Sequence, residues 1–380
     1  MSKTRNVQGE PSWRVANQDV EAFVTQTGGH LAPVTFDRRD RQLQPFSVAP
    51  WAKERIDKAT PDILRVLRGD FFCMPFGDNE KSYGKEDHPP HGQTANKNWT
   101  FVSEKREKGS TRLRLRMNTT VRKARVTKSI TLVEGHPAIY SRHTISGADG
   151  PMSLGHHATL AFPDEPECGV ISTSHFVYGQ VSPEPLERPE NRGYSILRPG
   201  VRIRSLDSVP TTTGETVDLS RFPARRGYED LVQLINDPNR TYAWTAVTFP
   251  RHRYVWFALK DPEVLSGTIM WFSNGGRHYP PWNGRHVNVL GLEEVTSYFH
   301  YGLSESKAKN PLSEQGYRTV LQLRPKRPLV VNMITAMATV PESFDRVIRI
   351  SLGDTSVRLF SERGASVQVP LDCGFLTGSD

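Results

Sequence analysis

Cysteine is scarce in this chain: 380 residues include only Cys73, Cys168 and Cys373. The number is odd and the positions lie far apart, which argues against a disulfide framework and for a reducing compartment. Long apolar runs are missing as well. No window offers the 18 or so apolar residues that a membrane-spanning helix needs, and the opening MSKTRNVQGEPSW lacks the apolar stretch of a secretory signal. We therefore expect a cytoplasmic protein with no membrane partner.

Several motifs of catalysis and cofactor binding are also absent. The sequence contains no GxSxG elbow, no phosphate-cradling glycine-rich loop and no HExxH metal motif. His88 and His91 have an HxxH spacing, and His156 and His157 are adjacent, but neighbouring residues of a strand point to opposite faces. Because no clustered Cys/His set accompanies them, the sequence predicts no metal and no other cofactor.

Basic residues are in excess, and the formal net charge is +8. Such a charge raises nucleic acid as a partner. The densest basic segment is 112–128, in which Arg112, Arg114 and Arg116 alternate with apolar residues. In a strand this period of two places the arginines on one face, as is typical of the solvated side of an antiparallel sheet. No nucleic-acid-binding motif supports the other interpretation, so we expect no nucleic-acid partner.

Short strand-like segments dominate the chain. They alternate polar and apolar residues, are rich in Val, Ile, Thr and aromatic residues, and are bounded by Gly, Pro, Asn or Asp. The predicted strands include 21–27, 30–36, 99–105, 110–117, 125–133, 137–145, 152–162, 242–249, 254–260, 267–273, 317–324 and 346–352. Two short helices are predicted at 50–57 and 228–237. This pattern predicts an all-β fold, a large antiparallel β-sandwich with a few short helices.

The chain shows no internal repeat and no low-complexity linker. Residues 181–227 are rich in Pro, Arg and Thr and weakly patterned, which is typical of an insertion or a long loop. Nothing there divides the chain convincingly, so we predict one domain over residues 1–380.

Four segments place polar or aromatic groups where a plain sandwich does not need them: 66–77, 89–99, 155–162 and 270–302. The side chains that stand out are Arg68, His91, Asn96, His156, His157, Trp271, Trp282, Arg285 and Glu293. Most have a structural explanation, since a lone histidine is more often a core or surface residue, and a tryptophan in an apolar run is often core. Glu293 follows the apolar VLGL, where a carboxylate is rarely buried without a partner, and this favours a functional role.

Taken in order, five segments resemble the aldose 1-epimerase (galactose mutarotase-like) superfamily. They are GGHLAPVTF (28–36), similar to its early hairpin; LRGDFFCMPFG (67–77), most like the hexose-6-phosphate epimerase branch; HGQTANKNW (91–99), similar to its HG loop; GHHATLAF (155–162), at the place of its second histidine; and NVLGLEE (288–294), similar to its strand with the catalytic glutamate. The ordered set spans residues 28 to about 300.

The resemblance implies an all-β super-sandwich with a sugar site on its concave face. It also implies roles: Glu293 as general base for the anomeric hydroxyl, His157 or its neighbour His156 as the acid for the ring oxygen, and His91 and Arg68 as ligands of sugar hydroxyls. Further candidate substrate contacts are the aromatic faces of Trp271 and Trp282 and the polar groups of Asn96 and Arg285.

The chemistry suits these residue types independently. Opening a hemiacetal ring needs a proton removed at O1 and another delivered at O5. A carboxylate and an imidazole, with reference pKa values of about 4.3 and 6.5, can do this without a metal or nucleotide. We therefore predict a mutarotase that interconverts the anomers of a hexose, with a small-molecule sugar as its partner.

Two departures from the family pattern keep alternatives open. The HG loop continues with QTAN where the hexose-phosphate branch has a phosphate-binding arginine, and the family's additional sugar-binding aspartate has only Asp230 and Asp237 as candidates, without a motif. The alternatives are a non-catalytic carbohydrate-binding protein on the same scaffold and a hexose-6-phosphate 1-epimerase. The sequence leaves the sugar, the choice between His156 and His157, and the oligomeric state undetermined.

Overall fold

A computed structural model describes residues 3–378, and two large antiparallel sheets form its centre. The sheet that carries the candidate site, called the site sheet here, has eleven strands. In spatial order they are β1 (Arg5–Val7), β2 (Glu10–Ala16), β3 (Val20–Thr25), β4 (Leu31–Phe36), β5 (Asp70–Cys73), β11 (Leu154–Ala161), β22 (Val289–Thr296), β21 (Gly267–Asn274), β18 (Tyr228–Asn236), β13 (Phe176–Val181) and β14 (Arg202–Ile203).

The second sheet, called the back sheet, has nine strands. In spatial order they are β17 (Arg221–Phe222), β12 (Gly169–Thr173), β19 (Ala243–Phe249), β20 (Tyr254–Lys260), β24 (Leu329–Thr339), β9 (Ala138–Ser146), β8 (Ala124–Val133), β7 (Ser110–Thr119) and β6 (Thr100–Glu107).

Smaller elements complete the fold. The remaining strands are β10 (Gly150–Met152) with β23 (Leu321–Leu323), β15 (Val209–Pro210) with β16 (Thr216–Val217), and a three-stranded sheet of β25 (Val347–Leu352), β26 (Ser356–Ser361) and β27 (Ser366–Pro370). The helices are α1 (Asp62–Arg65), α2 (Leu303–Lys307) and α3 (Pro311–Glu314), with 3₁₀ turns at Gln93–Ala95, Pro189–Asn191 and Cys373–Leu376.

The alternation of polar and apolar residues along a strand decides which of its faces packs against another sheet. In β7 the arginines are exposed, whereas Leu113, Leu115 and Met117 are buried in the core between the two large sheets. The arginines of this basic segment therefore lie on a solvated face, as the period of two predicts. The opposite face of the back sheet is apolar in its central strands, where Phe257 and Ile334 are covered by the three-stranded sheet β25–β27.

The all-β antiparallel sandwich is confirmed. The helix predicted at 50–57 is wrong: this segment consists of turns, with isolated bonds such as Ala52 N–H to Ala49 O. The helix predicted at 228–237 is also wrong, because residues 228–236 form β18. Its apolar residues come in adjacent pairs, a pattern shared by a helix and by a strand buried on both faces, and pairing with β13 and β21 makes it a strand.

The weakly patterned segment 181–227 crosses the molecule as short strands and turns, including β14 to β17. Its first part reaches the outer face of the site sheet, where Leu186 and Glu187 lie. No helix within residues 3–378 is long and apolar enough to cross a membrane. The three cysteines, all in the described part of the chain, are free thiols.

Candidate active site

A cleft of about 420 Å³ opens on the outer face of the site sheet. Its floor is built by β5, β11, β18, β21 and β22, and its rim by loops that follow β5 and β21 and by the 181–227 segment. The polar and aromatic side chains that line it are Phe71, Asp78, Glu80, His91, His157, Glu187, Asn191, Trp271, Arg277, Tyr279, Trp282, Glu293 and His300.

An imidazole and a carboxylate meet at the floor of this cleft. His157 in β11 and Glu293 in β22 lie on adjacent strands, and His157 Nε2 is 3.3 Å from Glu293 Oε1. Only 5% of His157 and 2% of Glu293 are exposed. Burial disfavours the charged form of each group, so it raises the pKa of Glu293 well above its ordinary value and lowers the pKa of His157 well below its own.

Aromatic rings fix the orientation of the imidazole. Phe71 stacks on His157 at 4.4 Å between ring centroids, and the other face of Phe71 stacks on the buried His30 at 4.2 Å. Trp271 meets the His157 ring edge-on at 5.9 Å. The ring therefore has little freedom to turn away from Glu293.

His91 comes to the cleft on the loop that begins Pro89-Pro90. Its backbone has φ of 57° and its N–H donates to Gly77 O at 2.7 Å. Gly92 follows with φ of 75°, and a Cβ there would lie 2.0 Å from Met74 O, so only glycine fits. The His91 ring lies 5.0 Å from that of His157, and burial lowers its pKa to about 4. His91 is a neutral hydrogen-bonding group at neutral pH.

The wall opposite His91 is aromatic and ionic. The indole N–H of Trp271 donates to Glu229 Oε2 at 2.9 Å, and Arg277 lies over the ring of Trp282 at 4.5 Å. Arg277 Nε also donates to Glu187 Oε1 at 2.5 Å. Glu229 is fully buried beneath this wall, and desolvation raises its pKa to about 7.

Two predicted sugar ligands do not reach the cleft. Arg68 is fully buried, and its guanidinium donates to the carbonyls of Val66, Val7 and Gln8 at 3.0–3.1 Å, which ties the end of β1 to the segment that precedes β5. Asn96 is buried behind the His91 loop, where its amide donates to the carbonyls that precede and follow His91 and its Oδ1 accepts from Ile63 N. Neither Arg68 nor Asn96 lines the cleft in which a sugar contact was expected.

His156 and Arg285 are also placed away from the cleft. His156 points to the interior face of β11, where its Nδ1 is 2.8 Å from Asp70 Oδ2. Strand alternation excludes it from the site that holds His157. Arg285 is half-buried outside the cleft lining, where it forms a bidentate pair with Glu54 at 2.5 and 2.7 Å.

Neither candidate for the additional aspartate lines the cleft. Asp230 points to the other side of β18, and its Oδ1 accepts from the backbone N–H groups of Ile196 and Leu197. Asp237 lies beyond β18, 3.5 Å from Arg240. The β18 residue that lines the cleft is Leu231.

Sequence reasoning missed several groups that line the cleft. Asp78 follows directly after the FG of segment 67–77, and His300 lies in segment 270–302, so proximity to those segments was a usable signal. Glu187 lies in the weakly patterned 181–227 segment, which contains no signal for it. Among residues 3–378, no group of three or more metal-ligating side chains is arranged to hold a metal ion.

Known proteins match this chain in structure and not in sequence. No family model matches the sequence, and no curated protein sequence matches it. Solved structures do match. A galactose mutarotase-like protein from Clostridium acetobutylicum superposes with a TM-score of 0.58 at 13% identity, covering 89% of this chain and 98% of that one. A candidate aldose 1-epimerase from Escherichia coli K12 gives 0.57 at 13% identity, covering 87% and 100%.

A galactose mutarotase related enzyme from Lactobacillus acidophilus gives a TM-score of 0.53 at 13% identity and covers 87% of this chain and 98% of that one. Identities this low show a shared fold and not a shared activity. This chain shares its overall fold with these solved proteins.

Proposed function

We propose that the protein is an aldose 1-epimerase, a mutarotase that interconverts the α and β anomers of a hexose. The observation that carries this proposal is the contact of His157 with Glu293, 3.3 Å apart, at the floor of a cleft of sugar-binding size. The solved proteins of the same fold include a galactose mutarotase related enzyme, which supports a sugar as the small-molecule partner.

The proposed reaction moves two protons around one carbon. The Glu293 carboxylate takes the proton of the anomeric hydroxyl, while the His157 imidazolium gives a proton to the ring oxygen. The C1–O5 bond breaks, and C1 becomes an aldehyde. After rotation about C1–C2, the opposite face of the aldehyde is presented and the two residues exchange roles as the ring closes. O1 and O5 are both bonded to C1, which suits an acid and a base that lie 3.3 Å apart.

Protonation of the pair is consistent with this scheme. Burial favours the neutral form of each partner, in which the carboxyl group of Glu293 is protonated and the imidazole of His157 is uncharged. The proton on Glu293 is the one that the pair shares. Transfer of that proton across the 3.3 Å contact produces the carboxylate and imidazolium from which ring opening starts. The pair carries one proton before, during and after the cycle, so no net charge has to be created in the buried floor.

Neighbouring groups supply the binding surface for the sugar. The ring faces of Trp271 and Trp282 offer apolar cover for the C–H side of the pyranose, and His91 offers a neutral imidazole to a hydroxyl. Asp78 and His300 also line the cleft and provide further polar contacts. These residues replace Arg68 and Asn96 as the proposed substrate ligands.

The first test is the mutarotation of freshly dissolved α-D-glucose and α-D-galactose, followed by polarimetry against a buffer blank. We expect the wild-type protein to accelerate one or both. Glu293→Gln keeps the shape of the side chain but removes the base, so we expect kcat to fall by about 10²–10⁴-fold. Glu314→Gln, at an exposed acid of α3, is the matched control and should retain wild-type rates. Wild-type activity in the Glu293→Gln variant would contradict the assignment.

A second candidate function is sugar binding without catalysis. The observation that favours it is the position of Leu231, an apolar residue on the cleft side of β18 where Asp230 points away. Calorimetric titration separates the two candidates, because saturable binding of a hexose with no acceleration of mutarotation supports the binding protein. Acceleration by the wild-type protein excludes it.

A further inference from the structure

The cleft is acidic although the protein as a whole is basic. Four acids line it, Asp78, Glu80, Glu187 and Glu293, of which burial favours the neutral form of Glu293, and Arg277 is the one strong base, in a chain whose formal net charge is +8. The basic excess therefore lies elsewhere, and it does not indicate a phosphorylated substrate. This charge balance bears on which sugars the proposed function can act upon.

The one arginine of the cleft is already neutralised. Arg277 Nε donates to Glu187 Oε1 at 2.5 Å, and Tyr279 OH donates to the same oxygen at 2.9 Å. Glu229 lies beneath Arg277 and, with Glu187, raises its pKa. Because Glu187 already pairs with it and Trp282 covers one face of it, Arg277 is a poor receptor for a phosphate.

The histidines do not compensate for the acids. Burial lowers the pKa of His91 to about 4, lowers that of His157 well below its ordinary value, and also lowers that of His300. All three imidazoles are neutral at neutral pH. A substrate in the cleft therefore meets a surface with no uncompensated cation.

Asp78 and Glu80 are the acids at the rim of the cleft, and neither is neutralised by a strong base. Within residues 3–378 neither forms an ion pair with a lysine or arginine, and the nearest base to Asp78 is His300, at 3.6 Å. The Asp78 N–H donates to His300 O at 2.6 Å and the Asn79 side chain accepts from Leu303 N, so this loop is anchored at the rim. The charge of Asp78 acts on Glu293, whose pKa it helps to raise.

These acids border a built site. Glu293 lines the same cavity with 2% of its surface exposed, and within residues 3–378 only the His157 ring contacts its carboxylate as a possible donor. The His157 ring, 5% exposed, has no partner for Nδ1 in that same range. A buried carboxylate that lines a cavity and has a single imidazole as its protein partner indicates a polar ligand.

We propose that the cleft selects aldoses by charge: it binds amino-hexoses in preference to neutral hexoses and excludes hexose phosphates, with Asp78 and Glu80 as the specificity-determining residues. This inference rests on the proposed sugar site. A protonated amino group gains attraction from both carboxylates, whereas a phosphate meets like charges and finds no free arginine.

The test is calorimetric binding of D-glucosamine, D-glucose and D-glucose 6-phosphate to the full chain. It is run at about pH 6, below the pKa of about 7.7 of an α-amino group. We expect the affinity for glucosamine to exceed that for glucose by about tenfold and that for the phosphate to be lower by at least as much, with both differences shrinking at high salt.

Asp78→Asn with Glu80→Gln should bring the three affinities towards one value. The control is Glu314→Gln with Glu362→Gln, which removes the same charge from two acids outside the cleft lining and should retain the wild-type order. The wild-type comparison and its salt dependence hold even if the double variant does not fold. Equal affinities for glucosamine and glucose, or tighter binding of the phosphate, would overturn the inference.

Polarimetry on the same samples separates the two proposals. Accelerated mutarotation without a charge preference overturns only the charge selection. A charge preference without acceleration overturns only the catalytic assignment and supports sugar binding. Absence of binding by all three sugars overturns the charge selection together with the sugar site on which it rests.

Discussion

Register decides which of two adjacent histidines can meet a substrate. His156 and His157 follow one another in β11, so one faces the interior of the sandwich and the other faces the cleft. The sequence leaves the choice open because a shift of one residue exchanges the faces. In the structure His156 pairs with Asp70 and His157 contacts Glu293.

The same substitution should therefore lower mainly the activity at position 157 and mainly the stability at position 156. We expect His157→Leu to lower kcat by about 10²–10⁴-fold with little change in the free energy of unfolding. His156→Leu should leave the buried Asp70 carboxylate without its partner and lower the free energy of unfolding by about 1–3 kcal/mol, with activity retained in the folded fraction. Polarimetry and guanidinium denaturation measure the two quantities. Equal loss of activity in both variants would contradict the assignment of faces.

The shared proton predicts the pH dependence of the reaction. Catalysis requires one proton on the His157–Glu293 pair. As pH falls, a second proton binds, mainly on His157, whose pKa burial holds well below its ordinary 6.5. As pH rises, the last proton leaves, mainly from Glu293, whose pKa is raised well above 4.5. We expect kcat/KM to fall on both sides of a plateau, with limits that belong to the pair.

Polarimetry across the pH range, with the buffer-catalysed rate subtracted, measures this profile. A rate that rises without limit towards alkaline pH would show simple hydroxide catalysis and would contradict a role for the pair.

At the scale of elements, β22 serves the cleft with one face and the core with the other. Glu293 lines the cleft, whereas its neighbour Glu294 points between the sheets and pairs with Lys260 of β20. Glu294 also accepts from Thr245 and Thr268 at 2.7 Å. This buried ion pair connects the site sheet to the back sheet behind the proposed base.

Breaking this pair should be costly. Lys260→Met leaves Glu294 charged and buried without its counter-ion, and we expect the free energy of unfolding to fall by about 3–5 kcal/mol. Adding Glu294→Gln removes the orphaned charge and should recover much of the loss. Guanidinium denaturation of the wild type and the two variants measures both steps. A Lys260→Met variant as stable as the wild type would show that Glu294 is neutral in the folded protein.

The period of two is clearest where one face of a strand is solvated, although β19, β20 and β21 were also predicted despite burial on both faces. β7 alternates exposed arginines with buried Leu113 and Leu115, and its period of two was readable. β18 and β24 are buried on both faces over most of their length, so their apolar residues are not spaced by two. The first was mistaken for a helix and the second was not predicted, because only its neighbours in the sheet distinguish such a strand from a buried helix.

At the scale of the whole molecule, the strands form three layers, and the back sheet is the middle one. One of its faces forms the sandwich core with the site sheet, and the other is covered by the small sheet β25–β27 through Val357 and Leu359, both fully buried. Apolar packing on both sides connects the C-terminal strands with the rest of the chain. One domain over residues 1–380 stays a prediction from the sequence.

One domain predicts one unfolding transition. We expect tryptophan fluorescence and far-UV circular dichroism to report the same guanidinium midpoint. Leu359→Ala in β26 should lower the free energy of unfolding by about 2–5 kcal/mol and move both signals together. A variant in which circular dichroism changes at lower denaturant than fluorescence would show that the C-terminal sheet unfolds separately.

The sequence predicted the types of residue in the candidate site better than it predicted which individual residues reach the cleft. Glu293, His157, His91 and the two tryptophans converge on one cleft. Arg68 and Asn96, chosen with them, instead satisfy buried backbone groups, since an arginine or amide near a motif can bond carbonyls as well as sugars. Nothing local in the sequence distinguishes those two uses.

The sequence by itself determined the all-β class, through its many short alternating strands, and the pairing of imidazole with carboxylate chemistry along one ordered set of segments. The tertiary structure decided which side of each strand faces the cleft, because side-chain direction reverses with every residue. It also decided the charge of the site. Asp78, Glu187 and Arg277 lie far apart in the chain, and only packing of the loops around the site sheet places them in one cavity and sets which charges remain unpaired.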